Sequence, residues 1–182
     1  MKDPGISIRE AAPEDIGAIM RIEADAFHTT IRESKETFEA RIEEFPEGCL
    51  ILTDEGNMPI GYITSEIWKY SQVVDKESFC LGHSIKDIHD CNGEELYISS
   101  MGVLKSRRGN RFGGLLVNTL TEKLLKEHPN IKSSILLVSE KWGNAYKIYK
   151  QSGFEDISVL ENFFTHDNGQ SSNGVVMRKW VR

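Results

Sequence analysis

The run "ELYISSMGVLKSRRGNRFGGLLVNTLTEKLLKEHP", residues 95–129, restricts this chain more than any other: an alternating strand passes through a glycine- and arginine-rich turn into a long amphipathic helix. The first N–H groups of a helix point outward and carry partial positive charge, so a strand, a glycine turn and a helix in that order make an anion site. Gly109, Gly113 and Gly114 let the chain pass close to such an anion, where a Cβ would hold it away. Their spacing is neither GxxxxGK[ST] nor GxGxxG, so phosphate is expected without favouring ATP or NAD. Phe112, Leu116, Leu120 and Leu124, joined by Leu115, form the apolar stripe of the helix, which His128-Pro129 ends. In the strand, Ser99, Ser100 and Gly102 stand where a packed core strand carries Val or Ile, as if another group approached its backbone.

The flanking segments set the rest of the order. "ISIREA" alternates like a short strand, and "APED" starts a helix continued by Ile16, Ile19 and Met20. A second helix follows Ser34, with Phe38, Ile42 and Phe45 on one face. "CLILTD" and "IGYITSEIW" around the turn "EGNMP" predict a hairpin, and "SSILLVS" predicts a strand buried on both faces. "KWGNAYKIYKQSGF" predicts a helix ended by Gly153 in a left-handed conformation. Two last strands flank a polar loop at 166–174. Residues 69–93 have weak periodicity and, at that length, are expected to cover a site, with one short helix near "HSIKDIHD". The whole order predicts a single α/β domain over residues 1–182, with a mixed sheet flanked by helices.

Charge narrows the partners. A formal charge of -6 argues against nucleic acid or an anionic membrane, so the basic cluster at Lys105, Arg107, Arg108 and Arg111 stands out locally. Cys49, Cys80 and Cys91 are odd in number and contain no CxxC, and His83, Asp87, His89, Asp90 and Cys91 have no recognised ligand spacing, so neither disulfides nor a metal are expected. The N-terminus lacks an apolar leader and no apolar run approaches the roughly 20 residues that span a bilayer, which predicts a cytoplasmic protein.

Arg108-Gly109-Asn110-Arg111-Phe112-Gly113 resembles the acetyl-CoA loop [RQ]xxGx[GA] of the GNAT superfamily of N-acetyltransferases, with Arg111 in the place of its first glycine. Ala145, Tyr149, Gly153 and Phe154 match a second signature, AxxxYxxxGF, at a family-like distance downstream. The resemblance covers nearly the whole chain and implies a mixed, mostly antiparallel sheet. "LYISSMGVLKSRRGNRFGGLL" is similar to protein N-terminal acetyltransferases, and "IEADAF" and "ENFF" to the ribosomal-protein alanine type. The chain departs from these at Leu137, where a His or Glu is common, and at Trp142, where an Asn is common; Asn144 lies two residues beyond.

The resemblance implies a site. Met101 to Val103 would pair with the pantetheine arm, while Arg108 and the amides of Gly109, Asn110, Arg111, Gly113 and Gly114 would take the pyrophosphate, with Asn144 as a further contact. Arg111 either adds a charge-assisted bond or faces solvent at a position of ordinary helical geometry. Tyr149 would protonate the departing sulfur, and Tyr97 would act as base or water-orienting group through a shifted pKa. Glu66, Glu95, His83 and His89 are further candidate bases. The acceptor would be a protein N-terminus or small primary amine: at pH 7 an α-amine is more than about 10% neutral, a lysine about 0.04%. A CoA-binding regulatory module without chemistry is the alternative. The sequence does not set the oligomeric state, although the late strands could pair between two copies in a homodimer.

Overall fold

The computed structural model describes residues 5–166 and 168–181; residues 1–4, Asp167 of the expected polar loop and Arg182 lie outside them. Strands β1 (Ser7–Glu10), β2 (Cys49–Thr53), β3 (Pro59–Trp68), β4 (Glu95–Val103), β5 (Ser133–Ser139), β6 (Glu155–Thr165) and β7 (Ser171–Trp180) form one sheet in the order β1-β2-β3-β4-β5-β7-β6. Helices are α1 (Ile16–Ala26), α2 (Lys35–Glu44), α3 (Ile85–Ile88), α4 (Phe112–Glu127) and α5 (Gly143–Gln151). Every neighbouring pair of strands is antiparallel except β4 and β5, which α4 joins as a crossover.

Strand alternation separates two cores. In β2, Cys49 and Ile51 pack with Ile16, Ile19 and Ile22 of α1 and Phe38 and Ile42 of α2, whereas Leu50 and Leu52 pack with Leu116, Leu120 and Leu124 of α4. The result is helices on both faces of the sheet. Local caps fix the entries. Asp15 accepts the Ala12 N–H at 2.9 Å and takes the Arg9 guanidinium at 2.6 and 2.7 Å. Ser34 Oγ accepts the Thr37 N–H at the start of α2. Gly153 closes α5 at φ 91°.

Three expectations change. Leu115 does not join the stripe of α4; it is 43% exposed, and Val117 lies inside instead. The polar loop is shorter than 166–174, because β7 already begins at Ser171 and its Ser172 is buried against Ser139 and His166. Residues 69–93 hold a 3-10 turn at Glu77–Phe79 as well as α3, and are tied down: Arg178 donates to the Ser71 carbonyl, Gly82 N–H to Glu33, and the Ile67 N–H to His89 Nδ1.

Candidate active site

The parallel pair is where the sheet opens. Pairing of β4 with β5 runs from Glu95↔Ser133 to Ile98↔Leu136 and stops, although β4 stays on β3 as far as Val103↔Gly61 and β5 stays on β7 as far as Ser139↔Gly174. A bulge marks the parting: Thr64 pairs with Ser100 and Ser65 with Ile98, leaving Ser99 as the extra residue. Between the diverging strands lies a cleft walled by Tyr97, Ser100 and Met101 of β4, Leu137 of β5, and Trp142 and Tyr149 near and within α5. Phe27 after α1 and Phe164 of β6 close one end, their rings 5.6 and 5.0 Å from that of Trp142.

The glycine turn follows β4, with Gly113 beside Met101 of the cleft wall, and the structure sorts its cations. Arg107 is committed to Asp54 at 2.8 Å, and Asn110 Nδ2 to the Arg107 carbonyl at 3.0 Å. Arg108 reaches only the Val103 carbonyl at 3.3 Å, and the Arg111 side chain has no hydrogen-bond or ion-pair partner among the described residues. Gly109 has φ 87° and, like Gly114, nothing within 4 Å of where a Cβ would stand; a Cβ on Gly113 would meet Ile148 at 3.0 Å. Gly109 and Gly114 thus face open space, while Gly113 lets α4 approach α5. Arg111 is the N-cap of α4 at φ 61°, ψ 14°, so the expectation of ordinary helical geometry is corrected: it holds a left-handed conformation that favours glycine. Gly102 is also reread. A Cβ there would lie 2.8 Å from the Tyr62 ring and 3.1 Å from Ile22, so its small size serves packing behind the strand and not the cleft.

Tyr149 is 7% exposed, walls the cleft, and its hydroxyl has no hydrogen-bond partner among the described residues. Burial pushes its pKa upward. Tyr97 stacks on Trp68 at 3.9 Å and meets Phe79 edge-on, and burial raises its phenol too, against a lowering by Arg41. A phenol raised above its ordinary value stays protonated at neutral pH, which favours Tyr97 as a hydrogen-bond donor or water-orienting group over a base. Asn144 is exposed in the first turn of α5.

The remaining candidate bases are engaged elsewhere. Glu95 accepts both Arg178 Nε at 2.7 Å and Nη2 at 3.1 Å, and Ser133 Oγ at 2.7 Å. His89 accepts the Ile67 N–H and lies against Phe45 at 4.5 Å. Glu66 is fully buried and takes His83 Nε2 at 2.8 Å, Arg41 Nε at 3.1 Å and Trp68 Nε1 at 3.0 Å. Burial would raise it, but His83, Arg41 and Trp68 together hold it below its ordinary value. His83 Nδ1 lies 3.0 Å from the Cys80 carbonyl. Both of its partners are acceptors, so both ring nitrogens donate and the imidazole is cationic. Burial opposes that charge, but Glu66 outweighs it and the His83 pKa lies above 6.5.

Sequence reading missed Glu33. Among the described residues it is the one charged side chain on the cleft wall, 6% exposed, accepting Arg41 Nη2 at 3.0 Å and the Gly82 N–H at 3.0 Å. Nothing local marks it, since it stands in an irregular segment between α1 and α2 and acquires its partners from α2 and the 69–93 segment. Leu137 offers the cleft only hydrocarbon. Among the described residues no three His, Cys, Asp or Glu converge as a metal site, and no helix is long and apolar enough to cross a membrane.

A sheet split at its parallel pair, a glycine- and arginine-rich turn between β4 and α4, and a phenol on the cleft wall without a hydrogen bond among the described residues agree with the class that the sequence motifs resembled. The chain belongs to the acetyltransferase (GNAT) family, whose model matches residues 16–154. No curated protein matches it. Solved structures of the same fold include GphF, a GNAT-like decarboxylase in complex with isobutyryl-CoA (TM-score 0.78, 17% identity, covering 97% of this chain and 100% of that one). Also similar are the ribosomal-protein-S18-alanine N-acetyltransferase of Escherichia coli (0.71, 18%, 97% and 94%) and Arabidopsis thaliana Naa50 with the bisubstrate analogue CoA-Ac-MVNAL (0.70, 18%, 97% and 99%). At these identities the likeness concerns the fold, which hosts more than one chemistry.

Proposed function

We propose that the protein is an acetyl-CoA-dependent N-acetyltransferase that moves an acetyl group to a primary amine, a protein N-terminus or a small amine, by direct attack on the thioester. The unbonded Tyr149 hydroxyl in the wall of the split sheet carries this reading. The residues fit the cofactor. Ser99 to Val103 of β4 have no partner on the β5 side, so Met101 and Val103 can pair with the amides of a pantetheine arm. Arg108, Arg111 and the amides from Gly109 to Gly114 would hold the pyrophosphate at the start of α4. Acetyl-CoA supplies the activated acyl group; the chain supplies position and protons.

Tyr149 stays protonated across the neutral range and donates its proton to sulfur as the C–S bond breaks. Tyr97, protonated across the same range, contributes as a hydrogen-bond donor or by orienting a water. Glu33 places one carboxylate on the cleft wall, where, beside its Arg41 partner, it can accept a hydrogen bond from the amine. The test measures CoA release across a panel of amines and N-terminal peptides, with acetyl-CoA affinity measured separately. Tyr149→Phe is expected to lower kcat by roughly 100-fold or more while leaving CoA affinity unchanged. Unimpaired turnover would remove Tyr149 from its role. Tight CoA binding with no release across the panel would make the protein a silent CoA-binding module.

A further inference from the structure

Transfer to an amine releases an N–H proton, and none of the expected bases can take it. Glu95, Glu66, His83 and His89 are engaged away from the acceptor, and both cleft tyrosines are held protonated. Ser100, on the cleft wall just past the bulge, offers a route. Its Oγ lies 2.8 Å from the Tyr62 hydroxyl, and Tyr62 in turn donates to Glu23 Oε2. Because the one Tyr62 proton goes to Glu23, Ser100 must be the donor in its own pair, which leaves Ser100 lone pairs free to accept from the cleft.

The end of this chain is unlike the other buried carboxylates. Glu23 is 1% exposed, and its Oε1 accepts the Glu33 N–H at 2.9 Å. No Lys, Arg or His is paired with it among the described residues, in contrast to Glu95 with Arg178 and Glu66 with Arg41. Three elements are shaped around the link: α1 supplies Glu23, β3 supplies Tyr62, and β4 is cut back to Gly102 where a Cβ would strike the Tyr62 ring. The neighbouring Ser99 also reaches the cleft wall, but its hydroxyl bonds to Thr64 at 2.9 Å and not to a carboxylate-linked partner, so Ser100 is the serine joined to Glu23.

We propose that Ser100, Tyr62 and Glu23 form a relay that carries the amine proton out of the cleft, a role that rests on the acetyl-transfer reading above. As the N–C bond forms, the N–H proton passes to Ser100 Oγ, the Ser100 proton to Tyr62 and the Tyr62 proton to Glu23, which ends as a neutral acid. Tyr149 gives its proton to sulfur as the C–S bond breaks. After product release the three-proton shift runs backward to water in the cleft, which reprotonates Tyr149, so no proton accumulates. Burial raises the Glu23 pKa, and the charge of Glu33 adds to this; the Tyr62 hydrogen bond from β3 and the Arg41 charge from α2 act the other way without cancelling it. Turnover therefore falls on the acid side at a pH above the ordinary carboxylate value of 4.5, as Glu23 loses the charge that accepts the proton.

The experiment takes the best amine from the panel and records kcat, KM and their pH profiles for Ser100→Ala, Ser100→Thr and Glu23→Gln, with melting temperatures as a check on folding. Ser100→Ala and Glu23→Gln are each expected to lose roughly 100-fold in kcat with the KM for acetyl-CoA unchanged. The acid limb disappears in Glu23→Gln, and Ser100→Thr, which keeps the hydroxyl, recovers turnover lost in Ser100→Ala. Should Glu23→Gln fail to fold, Ser100→Ala at its half-buried site decides alone. Wild-type kcat and acid limb in Ser100→Ala would overturn the relay by itself. No turnover of any amine by the wild-type protein would overturn the acetyl-transfer reading, and the relay with it.

Discussion

Arg111→Gly separates two properties of one residue. The backbone at φ 61°, ψ 14° costs an L-residue about 1–2 kcal/mol relative to a right-handed conformation. Glycine removes that strain but loses about 0.5–1 kcal/mol more chain entropy on folding. The Arg111 side chain has no partner among the described residues whose loss would enter the balance. The variant should therefore unfold at the same denaturant concentration as the wild type or be more stable by about 1 kcal/mol. Binding should move the other way: a hydrogen bond to a charged group contributes about 1.5–3 kcal/mol, so acetyl-CoA affinity should fall by about 10- to 150-fold. Calorimetric titration with acetyl-CoA and urea melts on the same samples read both effects. Arg111→Ala keeps the strain and loses the charge, so it should bind as weakly as the glycine variant without its gain in stability. An unchanged Kd for Arg111→Gly would reduce Arg111 to a surface residue, and a stability loss of more than about 1 kcal/mol would refute the strain assignment.

The His83–Glu66 pair gives a pH window. His83 is raised above 6.5, so its contribution is fully present below that value and is lost as pH rises through the folded-state pKa; Glu66 is lowered from 4.5, so its contribution is present above 4.5 and is lost as pH falls through its own. Melting temperature should be highest between those two values, and His83→Gln should abolish the alkaline decline; an identical decline in the variant would show that another group causes it. Glu95→Ala leaves the 6%-exposed Arg178 without its carboxylate and should cost about 3–5 kcal/mol, while Glu95→Leu combined with Arg178→Met should recover most of it in the same denaturant melts. A loss below about 1 kcal/mol in the single variant would mean that Arg178 finds another acceptor.

Much of this was legible in the chain itself because it is written locally. Period-two and period-3.6 patterns set β2, β3, β4, α4 and β5 within a few residues, and Gly153 ended α5 at positive φ as its position implied. Errors fell where solvent, not propensity, decides. Leu115 and Val117 are both apolar beside the same stripe, and only the seating of α4 on the sheet shows which one turns inward. The turn between β4 and α4 was legible as a turn, but not which of its arginines Asp54 would take or that Arg111 would be left-handed, since arginine is an ordinary helix former.

What the sequence determined by itself was the order of elements, the glycine turn before α4 and the place of the second-signature tyrosine in α5, all features of residues within one or two turns of each other. Tertiary structure alone decided what the cleft can do. The candidate bases Glu66 and Glu95 looked alike as letters and became ion-pair partners because α2 and β7 bring Arg41 and Arg178 to them. Ser100, Tyr62 and Glu23 lie 38 and 39 residues apart along their two links and meet only through the β3–β4 register and the bulge at Ser99. Hydrogen-bond partnership and burial set the proton affinity of each group, and both follow from which strands pair and where a parallel pair parts.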